Sequence, residues 1–290
     1  MAANQNPPRR ITAALVDLNG TLIDADGAPF GGAINALQRL RAAVSVLIVT
    51  NTSKQTIESI LDSIRQLVPD VRREEASRAR GGGQRLSGGR QQPQQRKVFS
   101  SLTATRKLLE DRCLRPFLLL HPDVLPDFEG LLTGDNPNCV VVGLAKEAFS
   151  WGNMNQAFRI LQKRDSQLIA IHMGRHFKEP DGLSLGPGPF VLALEHASGK
   201  TAQVVGKPQA AFFQQALGAL GCSPGDAVMI GDDVRDDVGG AQAVGCRGLL
   251  VQTGKYQAGD ETEMGVQPTA TLPNFAAAVT WILQQNAAAG

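Results

Sequence analysis

The stretch Met229-Ile-Gly-Asp-Asp-Val-Arg-Asp-Asp-Val-Gly-Gly-Ala241 carries four carboxylates, Asp232, Asp233, Asp236 and Asp237. Acids packed this closely repel one another unless a cation neutralises them. The donors are oxygens, with no His or Cys among them, so the fitting cation is a hard one, and Mg²⁺ suits best. The other reading of the stretch is a helix N-terminus decorated with acids. Three further motifs could act on an anion held by such a cation. Asp17-Leu-Asn-Gly-Thr-Leu22 offers a carboxylate followed by Asn19 and a glycine, suited to a nucleophile, a metal ligand or a turn cap. Thr50-Asn-Thr-Ser53 offers the hydroxyls of Thr50 and Thr52, the amide of Asn51 and the free N–H groups of a helix start. These make either a phosphate site or an ordinary N-cap. Val204-Val-Gly-Lys-Pro208 sets Lys207 directly before a helix-starting proline, as a point cation for phosphate or as a solvated surface lysine.

The elements around these motifs read as alternating strands and helices. Ala14–Val16, Val46–Val49, Phe117–Leu120, Cys139–Val142, Leu168–Ile171, Ala227–Ile230 and Gly248–Val251 are continuous apolar runs, as strands covered on both faces require. Between them run helical stripes: Ile57, Ile60, Leu61, Ile64 and Leu67; Met154, Ala157, Phe158 and Leu161; Phe213, Ala216, Leu217 and Leu220. The alternation predicts an α/β fold with mainly parallel sheets, whose ligand sites lie at the carboxyl ends of the strands. Asp17, Thr50 and Asp232 each follow a predicted strand.

Composition narrows the function. The 29 Lys and Arg against 27 Asp and Glu leave a net charge of +2, too little to demand nucleic acid or an anionic membrane. No apolar run approaches the roughly 18 residues of a membrane span. The first ten residues hold no apolar signal core, and the four cysteines (113, 139, 222 and 246) form no Cys-x-x-Cys pair. These features point to a reducing, cytoplasmic setting without a zinc or disulfide framework. His172 and His176 lie four apart, but the intervening Gly174 disfavours a metal-binding helix. Arg175, His176 and Lys178 are candidates for substrate contact or for a polar loop. Residues 72–97 hold eight Lys/Arg, two Glu, five Gly, five Gln and three apolar residues. Such a segment buries too little surface to offset its ordering entropy and is predicted to be a disordered insertion. Arg/Gly tracts can contact RNA, but this one has no aromatic residue for stacking and no repeat.

Taken in order, Asp-x-Asn-Gly-Thr, Thr-Asn, Gly-Lys-Pro and Gly-Asp-Asp-x₃-Asp resemble the four-part signature of the haloacid dehalogenase superfamily. The distance from Thr50 to Lys207 resembles its branch with a large α/β cap between the second and third motifs. The resemblance implies a Rossmann-like core at 1–71 and 200–290, an α/β cap at 98–199 that closes over the site, and a Mg²⁺-dependent phosphatase. Asp17 would be the nucleophile that becomes an aspartyl-phosphate, and Asp17, the Asn19 carbonyl and Asp232 would hold Mg²⁺. Thr50, Asn51 and Thr52 would bind the phosphoryl oxygens, and Lys207 would pair with both the phosphoryl group and Asp17. Asp233 and Asp237 would stand behind the metal ligands. The implied substrate is a small phosphorylated molecule or a phospho-amino-acid side chain, and a homodimer is compatible with the sequence. The typical phosphatase of this kind has an aspartate as general acid and base where this chain has Asn19. That departure implies a bias toward good leaving groups, or a weak or inactive protein that keeps the fold and binds phosphate.

Overall fold

The apolar runs form two parallel sheets in the computed structural model, which describes residues 9–53, 55–56, 58–62, 98–131, 136–179 and 182–289. In the larger sheet β1 (Ala13–Asp17) is central, with β2 (Ser45–Thr50) and then β3 (Val98–Ser100) on one side. On its other side lie β10 (Ala227–Gly231), β11 (Arg247–Val251) and β12 (Ala270–Leu272), all parallel. The second sheet joins β4 (Pro116–Leu119), β5 (Cys139–Val142), β6 (Gln167–Ala170) and β9 (Gln203–Val204). An antiparallel hairpin of β7 (His176–Glu179) and β8 (Gly182–Leu185) stands apart. All seven strands expected from continuous apolar runs are present.

Pairing moves both expected limits of the cap. Strand β3 bonds to β2, so residues 98–100 belong to the core sheet rather than to a cap beginning at 98. Strand β9 pairs with β6, so the cap sheet reaches Val204, beyond the expected limit at 199. Strands of three and two residues are too short to carry a periodicity, which is why sequence pattern misses them. The insertion expected at 72–97 lies outside the described residues.

Alternation along the strands divides the interior into layers. Ala14, Val16, Ile48, Ile230 and Leu249 face α1 (Ala33–Ala43) and the final helix α6 (Phe275–Ala288), through Leu37, Leu40, Val279 and Ile282. Their neighbours Leu15, Leu47, Val49 and Met229 face the opposite way. There they share one apolar cluster with α2 (Ser101–Asp111) and α5 (Ala210–Leu220), through Leu102, Leu109, Phe212 and Phe213. The same cluster continues into Val141, Ile169 and Ile171 of the cap sheet. The outer face of that sheet packs on α3 (Trp151–Leu161) and α4 (Gly188–Ser198) through Ala157, Leu161, Val191 and Leu194. Ser100 and Ser150 start α2 and α3 by accepting the N–H groups of Thr103 and Asn153. Among the described residues no helix is long and apolar enough to cross a membrane.

The connections from β1 lead to β2 on one side, and β10 lies on the other, so a crevice opens at their carboxyl ends. Asp17 ends β1, Thr50 ends β2, and Asp232 follows β10.

Gly206 marks where the cap chain returns to the core. Its N–H donates to the Ile171 carbonyl at 2.9 Å. A Cβ there would lie 2.4 Å from Asn51 Oδ1 and 2.7 Å from the Ile171 carbonyl oxygen. Gly206→Ala should therefore cost about 1–3 kcal/mol of stability through overpacking. The check is a lowered urea midpoint at unchanged m-value; an unshifted midpoint would show that the crossing is loose.

Candidate active site

Three distant segments of the chain meet on one ammonium group. Lys207 Nζ donates to Asp17 Oδ1 at 2.5 Å and to Asp237 Oδ1 at 2.6 Å. All three residues are buried, with Lys207 only 4% exposed. Burial alone would push the lysine pKa down, but the Asp17 and Asp237 carboxylates outweigh it and raise it, so the ammonium stays charged. Asp237 reaches this position because residues 234–239 form one wide helical turn, in which the N–H groups of Asp237 and Val238 both donate to the Asp233 carbonyl. Asp233 caps that turn, accepting from the N–H groups of Arg235 and Asp236.

Asp232 completes the cluster. Oxygens of Asp17, Asp232 and Asp237 lie within 4.8 Å of one another. One Asp232 oxygen accepts the Lys255 N–H at 2.7 Å, while Oδ1 is buried with no hydrogen-bond partner. Burial, and then the charge of Asp17, push the Asp232 carboxyl up to about 7. Three buried carboxylates around a single ammonium leave excess negative charge and one orphaned oxygen, which fits a hard divalent cation. Close backbone approach makes room for Asp232. A Cβ on Gly20 (φ 91°) or Gly254 (φ 58°) would fall 2.1 Å from its Oδ2. Both residues also hold positive φ, so glycine is needed for conformation as well as for space.

The Thr50–Ser53 segment is held from both sides. The Asn51 side chain pairs with the Lys207 backbone twice, its Nδ2 donating to the carbonyl at 3.0 Å and its Oδ1 accepting the N–H at 2.9 Å. The amide therefore fixes the lysine. Thr50 is buried at the end of β2 and its Oγ1 accepts the Thr52 N–H at 3.1 Å. Ser53 Oγ accepts the Leu144 N–H at 3.3 Å and lies 3.0 Å from His172 Nε2. His172 Nδ1 accepts the Gly174 N–H at 3.1 Å, which leaves Nε2 as the protonated nitrogen that donates to Ser53. Both ring nitrogens are engaged, Nδ1 within its own loop and Nε2 across to Ser53. Burial, aided by the charge of Lys255, lowers the His172 pKa to about 4, so the ring is neutral.

The remaining candidates are placed as follows. Asn19 is exposed beside the cluster. Arg175 and His176 are exposed at the start of the β7–β8 hairpin, and Lys178 lies within β7. Asp236 is engaged by Arg235 Nε at 2.8 Å. Sequence reasoning passed over Lys255, Ser53 and the pairing role of His172. Lys255 had a readable signal, since Thr253-Gly-Lys255 follows β11 as Gly206-Lys207 follows β9. The His172–Ser53 contact joins residues 119 positions apart, and only the docked sheets reveal it.

Known proteins resemble this chain along most of its length. Residues 14–122 match a family model described as haloacid dehalogenase-like hydrolase, and residues 204–278 one described as HAD-hydrolase-like. The chain is 48% identical to haloacid dehalogenase-like hydrolase domain-containing protein 2 of Homo sapiens, over 95% of this chain and 97% of that protein. It is 38% identical to phospholysine phosphohistidine inorganic pyrophosphate phosphatase of Mus musculus, over 94% and 95%. The fold matches that of a 4-nitrophenylphosphatase from Thermotoga maritima with a TM-score of 0.77 at 21% identity, covering 93% of this chain and 97% of that one. The chain belongs to the haloacid dehalogenase-like hydrolase family.

The His172 link has a pH signature. The ring has a pKa of about 4 in the folded chain and 6.5 as its ordinary value, so between those limits the unfolded chain binds more protons. Its contribution to stability is complete above pH 6.5 and is lost as pH falls toward 4. Between pH 7 and 4.5 the urea midpoint of the wild type should drop more than that of His172→Asn. Equal drops would show that the ring does not titrate as a buried neutral group.

Proposed function

We propose that this haloacid dehalogenase-like hydrolase is a Mg²⁺-dependent phosphatase working through a covalent aspartyl-phosphate on Asp17. The observation that carries the proposal is the buried Lys207 ammonium between Asp17 and Asp237, beside an Asp232 oxygen that lacks a partner. Asp17, Asp232 and the Asn19 backbone carbonyl would hold Mg²⁺, which supplies positive charge that draws a phosphoryl group to Asp17 and steadies it during transfer. Lys207 holds the Asp17 carboxylate aimed, and Asp237 keeps the ammonium in place. The Thr50 hydroxyl and the Asn51 backbone N–H would donate to the phosphoryl oxygens at the carboxyl end of β2, where the Thr52 N–H holds Thr50 Oγ1 in place. An Asp17 oxygen forms the new bond to phosphorus while the leaving group departs with the electron pair of the old one. Water then attacks the same phosphorus, releasing orthophosphate and restoring Asp17.

Asn19 bears on the substrate. A positioned acid contributes typically about 10²–10⁴-fold where the leaving group is poor, and an amide cannot donate a proton that it must later recover. Alkyl phosphates should therefore react slowly. Phosphoramidates leave as amines protonated by solvent, and pyrophosphate leaves as an already stabilised anion. The relative named for phospholysine, phosphohistidine and pyrophosphate supports this substrate class for the present chain.

Phosphate release from p-nitrophenyl phosphate should require Mg²⁺ and vanish in Asp17→Asn and Asp232→Ala, with circular dichroism unchanged. A protein that binds phosphate and Mg²⁺ without releasing product would mean that the fold has kept the site and lost turnover. Asn19→Asp should raise the rate on alkyl phosphates by roughly tenfold or more, and more than it raises the rate on pyrophosphate. Wild-type turnover of a sugar phosphate near an ordinary roughly 10 s⁻¹ would refute the leaving-group argument.

A further inference from the structure

Among the described residues of the site, Lys255 is a cation whose head group is exposed rather than buried in an ion pair. Lys207 spends its charge on two carboxylates at 2.5 and 2.6 Å, both buried with it. Lys255 differs in having a fixed base and a free head. Its own N–H holds Asp232 at 2.7 Å, and Thr253 Oγ1 two residues earlier donates to the Gly20 carbonyl at 2.5 Å. The intervening Gly254 packs so closely on Gly20 that a Cβ would fall 2.5 Å from the Gly20 Cα. The backbone at 255 is thus clamped to the nucleophile loop. The side chain is 68% exposed, and its Nζ makes only a loose contact of 3.4 Å with Asp233 Oδ2. With its backbone N–H on Asp232 and its Nζ beside Asp233, the ammonium stands at the solvent-facing edge of the carboxylate cluster.

We propose that Lys255 is a specificity-determining residue that contacts the leaving-group side of the substrate and favours leaving groups that are themselves anionic, as in pyrophosphate. The inference rests on the phosphatase reading above. The transferred phosphoryl group meets Lys207 and the metal-binding carboxylates. The second phosphate of pyrophosphate has no partner in that set, and it departs with the bridging oxygen and its electron pair as orthophosphate. A cation with a fixed base and a mobile head at that edge can leave its loose Asp233 contact and follow that anion. The imidazole of a phosphohistidine or the nitrophenyl ring of p-nitrophenyl phosphate carries no such charge in the bound substrate, and p-nitrophenolate gains its charge only as the P–O bond breaks.

Lys255→Met removes the charge and keeps both the stem and the backbone N–H that holds Asp232. The ratio of kcat/KM for pyrophosphate to that for p-nitrophenyl phosphate should fall at least roughly tenfold, the loss coming through KM, and Lys255→Arg should restore most of it. Equal losses on both substrates, or no restoration by arginine, would reduce Lys255 to a structural part of the loop. If the wild type hydrolyses neither substrate, the phosphatase reading fails and binding decides the present one. Calorimetry with methylenediphosphonate and with inorganic phosphate should then show a loss in Lys255→Met confined to the diphosphonate. No binding, or an equal loss for both ligands, overturns the assignment.

Discussion

The Lys207 ammonium, buried between Asp17 and Asp237, is the constraint from which the rest of the site follows. Desolvating three charges costs several kcal/mol each, and good geometry returns that only when all partners are in place. The triad joins the end of β1, the return from the cap and the turn after β10, segments 190 and 30 residues apart in sequence. Each must arrive at the right depth before any of them is stable there. Asn51 contributes to this by pairing both backbone groups of Lys207. The ion cluster gains little stability for itself. It demands one arrangement of the crevice and makes the alternatives expensive.

The same cluster explains why the site attracts what it attracts. One ammonium among Asp17, Asp232 and Asp237 leaves the pocket short of positive charge, and burial raises the carboxyl pKa of Asp232 and of Asp237. A proton or a hard cation would relieve the imbalance. The anion then completes a set of charges that the protein leaves unbalanced.

How far the sequence could be read follows from the kind of information each part carries. Strands such as Cys139–Val142 were legible because both faces are buried, which forces a continuous apolar run. Asp17, Thr50 and Asp232 were legible because strand ends in one parallel sheet converge, so order along the chain predicts proximity in space. Lys207 instead follows β9 of the second sheet and was legible only from its Gly-Lys-Pro motif. Strand β12 carries only Ala-Thr-Leu at the sheet edge, half covered, and leaves no pattern. The partners of Asn51 and His172 were illegible for another reason. Each depends on how the two sheets dock, and a side chain's sequence neighbours say nothing about that. Asn51 looked like a phosphate ligand, and its side chain turned out to hold the lysine.

Docking also limits what the cap can do. The inner face of its sheet shares an apolar cluster with α2, α5 and the core sheet, so Val141, Ile169 and Ile171 are buried jointly with Leu102, Phe212 and Leu15. A swing that separated the sheets would return this surface to water at roughly 25 cal/mol per Å² of apolar area. It would also break the Ser53–His172 and Gly206–Ile171 bonds. A cap that closes over the site as one rigid body pays that cost at every opening. Discrimination among substrates is cheaper when it lies in exposed side chains such as Lys255, and the apolar layer beneath stays closed. On the proposed reading, catalysis in the core and selection at the rim would then vary separately, the buried triad setting the first and solvent-facing residues the second.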